Sequence, residues 1–153
     1  MLKFRRITYK DVDLFSSMTL RQADIDELRV ATGFPKPMDA LRSSVAHSTE
    51  WSEICQDTNT GEILTLFGLG RISEDIGVPW MVASPNLIKY RKVLMRYSKK
   101  IIQEMLDQFP LLNNYVDSRN EVHIHWLRHM GFTFTGKDLM IRGIPFKYFF
   151  KRR

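Results

Sequence analysis

Three groups of residues in this 153-residue chain have the types and spacing to do chemistry. The densest is Lys89, Arg91, Lys92, Arg96, Lys99 and Lys100, a run of cations with no acid among them. Such a run either holds phosphates, of a cofactor or of a nucleic acid, or forms a solvated helix face. The second group is acidic. Glu53, Glu62, Glu74 and Asp75 fall near the middle strands of the chain, where a carboxylate can act as a general base. Glu74 and Asp75 lie in a turn, where solvated acids are ordinary. The third group is His123, His125 and His129. The four-residue step from His125 to His129 can put two imidazoles on one helix face, but no third ligand follows and no HExxH is present, so no metal is expected.

Composition bounds what these groups can belong to. A hydrophobic fraction of 44% and an aromatic fraction of 12% suit a globular protein, and the length suits one domain covering residues 1–153. No apolar run approaches the roughly 20 residues that span a membrane, so no membrane partner is expected. Lys3, Arg5, Arg6 and Lys10 are not followed by an apolar core of a secretory leader, which places the chain in the cytoplasm where it is made. Cys55 is the only cysteine; it can form no intrachain disulfide and reads as a small buried hydrophobe in mid-strand. The net charge of +6 favours polyanionic partners: cofactor phosphates, nucleic acid or an acidic protein surface.

The elements that would position these residues can be read in order. Phe4–Thr8 predicts a strand, and Thr8 can cap a helix that starts at Tyr9–Leu14 with Asp11 in its first turn. Gln22–Ala31 and Met38–Ala46 predict helices, separated by Gly33, Pro35 and Pro37. Strands Trp51–Gln56 and Ile63–Ile72 flank the turn-forming residues 57–61. Gly68 and Gly70 suggest a bulge or a close backbone approach in the second strand. Ser73–Gly77 reads as a turn and Val78–Ala83 as an apolar strand. Leu94, Tyr97, Ile101, Met105 and Phe109 keep helical spacing, predicting a long helix over Leu87–Phe109 that Pro110 stops. A strand at Leu111–Val116, a short helix at Val122–Met130 closed by Gly131, and strands at Phe132–Thr135, Leu139–Ile141 and Phe146–Phe150 complete the chain. Lys151-Arg152-Arg153 reads as a frayed tail. This order of elements predicts an α/β fold with a mixed sheet flanked by helices.

That order, together with Asn120-Glu-Val-His-Ile-His-Trp-Leu-Arg-His-Met-Gly131-Phe132, resembles the GNAT family of acyl-CoA-dependent N-acyltransferases, in which an Asn opens a short helix and Gly-Phe closes it. Tyr115-Val-Asp-Ser-Arg119, Ile124-His-Trp-Leu-Arg128 and Gly131-Phe-Thr-Phe134 are similar to small podovirus proteins, some described as acetyltransferases and others as internal virion proteins. The resemblance covers roughly Ile63–Thr135. It implies a GNAT-like sheet of about six to seven strands in which Val78–Ala83 and Leu111–Val116 are parallel neighbours that splay apart. It implies acetyl-CoA as cofactor, with the backbone of Met81, Val82 and Ala83 and the amide of Asn120 on the pantetheine arm, and phosphates at Lys89, Arg91 and Lys92. Asn120 is equally readable as a plain helix cap.

Two features depart from the family pattern. Its phosphate loop carries glycines that let backbone N–H groups approach a pyrophosphate; Ser84–Lys92 has none and is shorter. The family's acid is a Tyr four residues before the closing Gly, a position held here by Leu127, which transfers no proton. Tyr115, Glu74 and Asp75 remain as candidates for proton transfer. The resemblance thus implies an N-acetyltransferase acting on an amine of a host protein or small molecule. The alternative is a catalytically degenerate GNAT domain that serves as a virion component or binds host machinery, located in the host cytoplasm or packaged in the virion.

Overall fold

A computed structural model describes the backbone of residues 1–153 and every side chain except those of Tyr9, Val12 and Leu14. The contacts group into two units, one of Met1–Gly70 with Trp80–Lys89, the other of Arg71–Pro79 with Tyr90–Arg153. Eight strands hydrogen-bond in the order β1-β2-β3-β4-β5-β8-β6, with β7 also paired to β8. Only the neighbours β4 and β5 are described as parallel, so the expected mixed sheet is present.

In the first unit, β1 (Leu2–Ile7) and β2 (Trp51–Asp57) run antiparallel in continuous register from Leu2↔Asp57 to Ile7↔Ser52. β2 then pairs antiparallel with β3 (Ile63–Ser73), with a register shift at Cys55/Gln56. β3 is buried without interruption from Ile63 to Leu69, which is why it reads as a run of apolar residues and not as an alternation. A 3-10 helix over Tyr9–Ser17 follows β1. Thr8 opens it as a reciprocal cap: its hydroxyl accepts from Lys10 N–H at 3.2 Å while Asp11 accepts from Thr8 N–H at 2.8 Å. α1 (Gln22–Thr32) ends at Gly33, whose φ of 76° is the left-handed region. α2 (Pro37–His47) opens on Pro37, whose missing N–H costs nothing at that position. Phe15, Leu41, Ile54 and Leu66, each 0% exposed, form the centre of this unit's core.

Gly68 and Gly70 mark close approaches; the one register shift described between β2 and β3 lies elsewhere. The Trp80 indole, which donates to Ser48 Oγ at 2.6 Å, lies against Gly68, and the His47 carbonyl lies against Gly70. The turn before β4 (Ile76–Ala83) is also tighter than expected, with Ile76 and Gly77 already in the strand.

In the second unit, α3 (Arg91–Gln108) leads into β5 (Leu111–Asp117), then α4 (Glu121–His129), β6 (Thr133–Phe134), β7 (Leu139–Ile141) and β8 (Ile144–Arg152). One face of the β5/β8 pair is closed: Leu112, Val116 and Phe149 are 0%, 1% and 4% exposed. α3 starts later than its apolar spacing suggests. Residues Pro85–Tyr90 form a 3-10 turn because Leu87 N–H donates to the Ser84 carbonyl three residues back. The basic C-terminus is not frayed. Lys151 and Arg152 pair with Leu112 and Leu111 in the ladder. Arg153 donates from Nε to the Leu106 carbonyl at 2.7 Å and from Nη2 to the Asp107 carbonyl at 2.9 Å, filling acceptors that a helix end leaves open.

A methyl group at Gly68 would sit 2.6 Å from Trp80 Nε1 and 2.6 Å from Ser48 Oγ. Gly68→Ala is therefore expected to lower stability by about 1–3 kcal/mol, as overpacking does, read as a lower urea midpoint with an unchanged m-value.

Candidate functional site

The middle strand is the place to start, because its sequence limits its pairing. β4 and β5 form two parallel pairs, Ile76↔Leu111 and Gly77↔Leu112. Beyond them stands Pro79, which has no N–H for a ladder, and its carbonyl accepts the side-chain amide of Asn114 at 2.8 Å. Successive residues of a strand turn their backbone groups to opposite edges. Ser84 N–H donates to the Leu64 carbonyl on β3 at 2.8 Å, so Val82 and Ser84 face β3, and Pro79, Met81 and Ala83 face away from it. Val82 O accepts from Thr65 Oγ1 on that same side at 2.8 Å.

Ala83 is not free on the outer edge. The start of α1 docks there: Arg21 N–H donates to the Ala83 carbonyl at 2.8 Å, and Ala83 N–H donates to Asp24 Oδ2 at 2.9 Å. Asp24 is 2% exposed and faces the Arg21 guanidinium at 3.4 Å. Of the three residues expected to offer backbone to a ligand, Val82 is turned to β3 and Ala83 is tied to α1. Met81 alone has its backbone on the outer edge clear of both. Sequence reading missed Arg21 and Asp24, whose only signal is an Asp in the first turn of a helix.

Downstream, Glu62 organises the turn into α3. Its carboxylate accepts from Ser84 Oγ at 2.9 Å and from Asn86 Nδ2 at 2.9 and 3.2 Å. Lys89 lies exposed in the 3-10 turn, and Arg91 and Lys92 are the exposed first residues of α3. That first turn contains no acid, and Tyr90 at the cap position makes no side-chain capping bond.

The exit of β5 is held by a bidentate pair that the sequence reading did not single out. Asp117, 1% exposed, accepts from Arg119 Nε at 3.0 Å and Nη2 at 2.7 Å, and also from Arg119 N–H at 2.8 Å. Asn120 follows, 1% exposed. Its carbonyl accepts the first bond of α4 from Ile124, but its side chain makes no capping bond, so the plain cap reading does not describe its amide. Leu127 is buried beneath α4. The indole N–H of its neighbour Trp126 is buried without a hydrogen-bond acceptor among the described residues. α4 closes at Gly131, φ 89°, with the Lys151 side chain lying where a Cβ would be.

The remaining candidates are dispersed. Glu74 and Asp75 are exposed in the turn at the start of β4, and the Asp75 carbonyl accepts from Leu111 N–H at 3.2 Å. Tyr115, 40% exposed, stands opposite Tyr148 with ring centroids 5.3 Å apart. Glu53 is buried in β2, in register with Arg6. His125 and His129 meet edge to face at 4.6 Å. Among the described residues no helix is long and apolar enough to cross a membrane. Burial pushes the Cys55 thiol up to about 12, with the Asp57 carboxylate adding to it.

Comparison with known proteins follows from this architecture. The chain resembles solved structures along its whole length. Aminoglycoside acetyltransferase AAC(6')-Ib in complex with ribostamycin and coenzyme A is 11% identical, with a TM-score of 0.71, over 99% of this chain and 93% of that one. An N-acetyltransferase from Staphylococcus aureus Mu50 is 13% identical, with a TM-score of 0.69, over 99% and 98%. An acetyltransferase of the GNAT family from Streptococcus pneumoniae is 13% identical, with a TM-score of 0.61, over 99% and 99%. At these identities the likeness establishes the fold, which is that of the GNAT acetyltransferases. A family model described as Bacteriophage T7, probable scaffold protein Gp13, matches residues 75–137. No curated protein matches the chain by sequence.

Removing the Asp24 carboxylate leaves Ala83 N–H buried and unpaired. Asp24→Ala should cost about 1–3 kcal/mol of stability and Asp24→Asn, which keeps an acceptor, should cost less; chemical denaturation distinguishes them. The folded Cys55 thiol holds its proton above the 9.0 of an ordinary thiol. Its contribution to stability is full below pH 9 and is lost as the pH rises toward 12. At pH 8.5 a thiol reagent should label Cys55 only as fast as the protein opens, and rapidly in denaturant.

Proposed function

We propose that the protein is an acetyl-CoA-dependent N-acetyltransferase that acts on an amine of a host protein or a small molecule. The observation that carries the reading is the β4 edge: in a fold shared with N-acetyltransferases, the parallel ladder ends after two pairs and Met81 is left with its backbone turned outward. An extended amide-bearing arm such as pantetheine pairs with such an edge as another strand would. We assign that contact to Met81; on the resemblance alone, Asn120 would meet the same arm and Lys89, Arg91 and Lys92 the phosphates. These cations replace the glycine cradle, because side-chain forks and point charges reach a phosphate without close backbone approach.

Acetyl-CoA supplies a reactive thioester, and the chain's part is to hold it against an amine. Positioning alone can provide much of the rate. Leu127, buried and without a proton, contributes packing. Tyr115, exposed on β5, is the phenol we assign to protonating a leaving thiolate.

A second reading has its own support. The match of residues 75–137 to a probable scaffold protein of a bacteriophage, the glycine-free Ser84–Lys92 and the apolar Leu127 all favour a domain that keeps the fold and serves as a virion component or a binder of host machinery.

Calorimetric titration with acetyl-CoA separates the two, binding heat being expected only for the first. Arg91→Glu with Lys92→Glu should weaken that binding by about 1.5–3 kcal/mol per lost contact; an unchanged affinity would place the phosphates elsewhere. Thiol release from acetyl-CoA in the presence of amines should be slow in the wild type. Leu127→Tyr should raise it by up to about a hundredfold in an enzyme lacking only its acid. If neither form releases thiol and no binding heat is seen, the second reading stands.

A further inference from the structure

The charge of this protein is segregated. The unit containing α3 and α4 carries fourteen Lys and Arg against seven Asp and Glu, while the other carries nine against ten. The whole net positive charge therefore belongs to one unit, and its densest surface is the outer flank of α3. At a helical step of about 100° per residue, Lys92, Arg96, Lys99 and Lys100 fall within an arc of roughly 100° and a rise of about 12 Å. The flank is opposite the one that buries Leu94, Ser98, Ile101 and Met105. All four side chains are exposed, and none makes a hydrogen bond or ion pair among the described residues.

The stripe works against its own helix. Lys92 and Arg96, and Arg96 and Lys100, are like charges at the four-residue spacing that repels. Lys92 also sits near the N-terminus, where the helix dipole disfavours a cation. No acid occurs in α3 before Glu104. A bound polyanion relieves both penalties.

We propose that this flank of α3 docks the phosphate backbone of a nucleic acid duplex without reading its sequence. The stripe carries no aromatic ring on which an unpaired base could stack, and no apolar centre of the kind that a protein interface buries. A row of cations matched to a dense line of phosphates is what remains. This inference does not rest on acyl transfer.

The test is fluorescence anisotropy of a labelled 20-base-pair duplex with the full chain, titrated at several salt concentrations. Four phosphate contacts give a slope of log K against log salt of about −3.6, or about a 150-fold weakening between 50 and 200 mM. Arg96→Gln, Lys99→Gln and Lys100→Gln combined keep good helix formers, and should reduce the slope to about −0.9. The triple variant should retain wild-type circular dichroism and any acetyl-CoA binding heat, since Arg91 and Lys92 are untouched. No duplex binding at 50 mM, binding undiminished in the folded triple variant, or equal binding of polyglutamate would each overturn the proposal.

Discussion

Pro79 has no amide hydrogen to give, and the middle of the sheet is arranged around that lack. Two parallel pairs precede it, and its carbonyl is taken by the side chain of Asn114 in place of a backbone amide. A strand that stops pairing on one edge leaves polar groups that must find other partners. The chain answers at Ala83 with the first turn of α1, which supplies both an amide donor from Arg21 and a buried carboxylate acceptor from Asp24. Met81 lies between these two solutions. The constraint is local and covalent, yet it decides how far the ladder between β4 and β5 runs.

The acids and cations divide by role in a way that follows from their neighbours. Asp24, Glu62 and Asp117 each receive several donors and hold backbone segments in place: the docking of α1, the turn into α3 and the exit of β5. A carboxylate engaged in that way serves as a fixed acceptor that ties distant stretches of backbone together. The cations of α3 are the reverse case. They have no acidic partners on the helix and stand where both the helix dipole and their own spacing oppose them. Among the described residues the structural acids are thus paired and Lys92, Arg96, Lys99 and Lys100 are not, a distinction that net charge alone conceals.

What stands at Leu127 and Gly131 is also a packing matter. Leu127 is buried within α4, and Gly131 closes that helix at a φ of 89°, in the left-handed region that favours glycine. The strand–Asn–helix–Gly-Phe unit therefore has a structural reason to persist whether or not chemistry is done there. It supports the GNAT fold more strongly than it supports transfer of an acetyl group.

Local chemistry made much of this legible in the sequence. Thr8 and Asp11 form their capping box, Gly33 and Gly131 turn left-handed to end helices, Pro110 bars continuation of α3, and β3 is one apolar run because both its faces are covered. Each depends on residues a few positions apart, so their types suffice. What tertiary structure alone decided depends on residues far apart in the chain. Arg153 reads as a loose end until Leu106 and Asp107 offer it open carbonyls, and Glu62 reads as a free acid until Ser84 and Asn86 reach it. Asp24 reads as a first-turn helix acid until Ala83, 59 positions away, donates to it. Hydrogen-bond partners brought together by folding leave no period or spacing in the sequence, which is why these contacts became legible only in the tertiary structure.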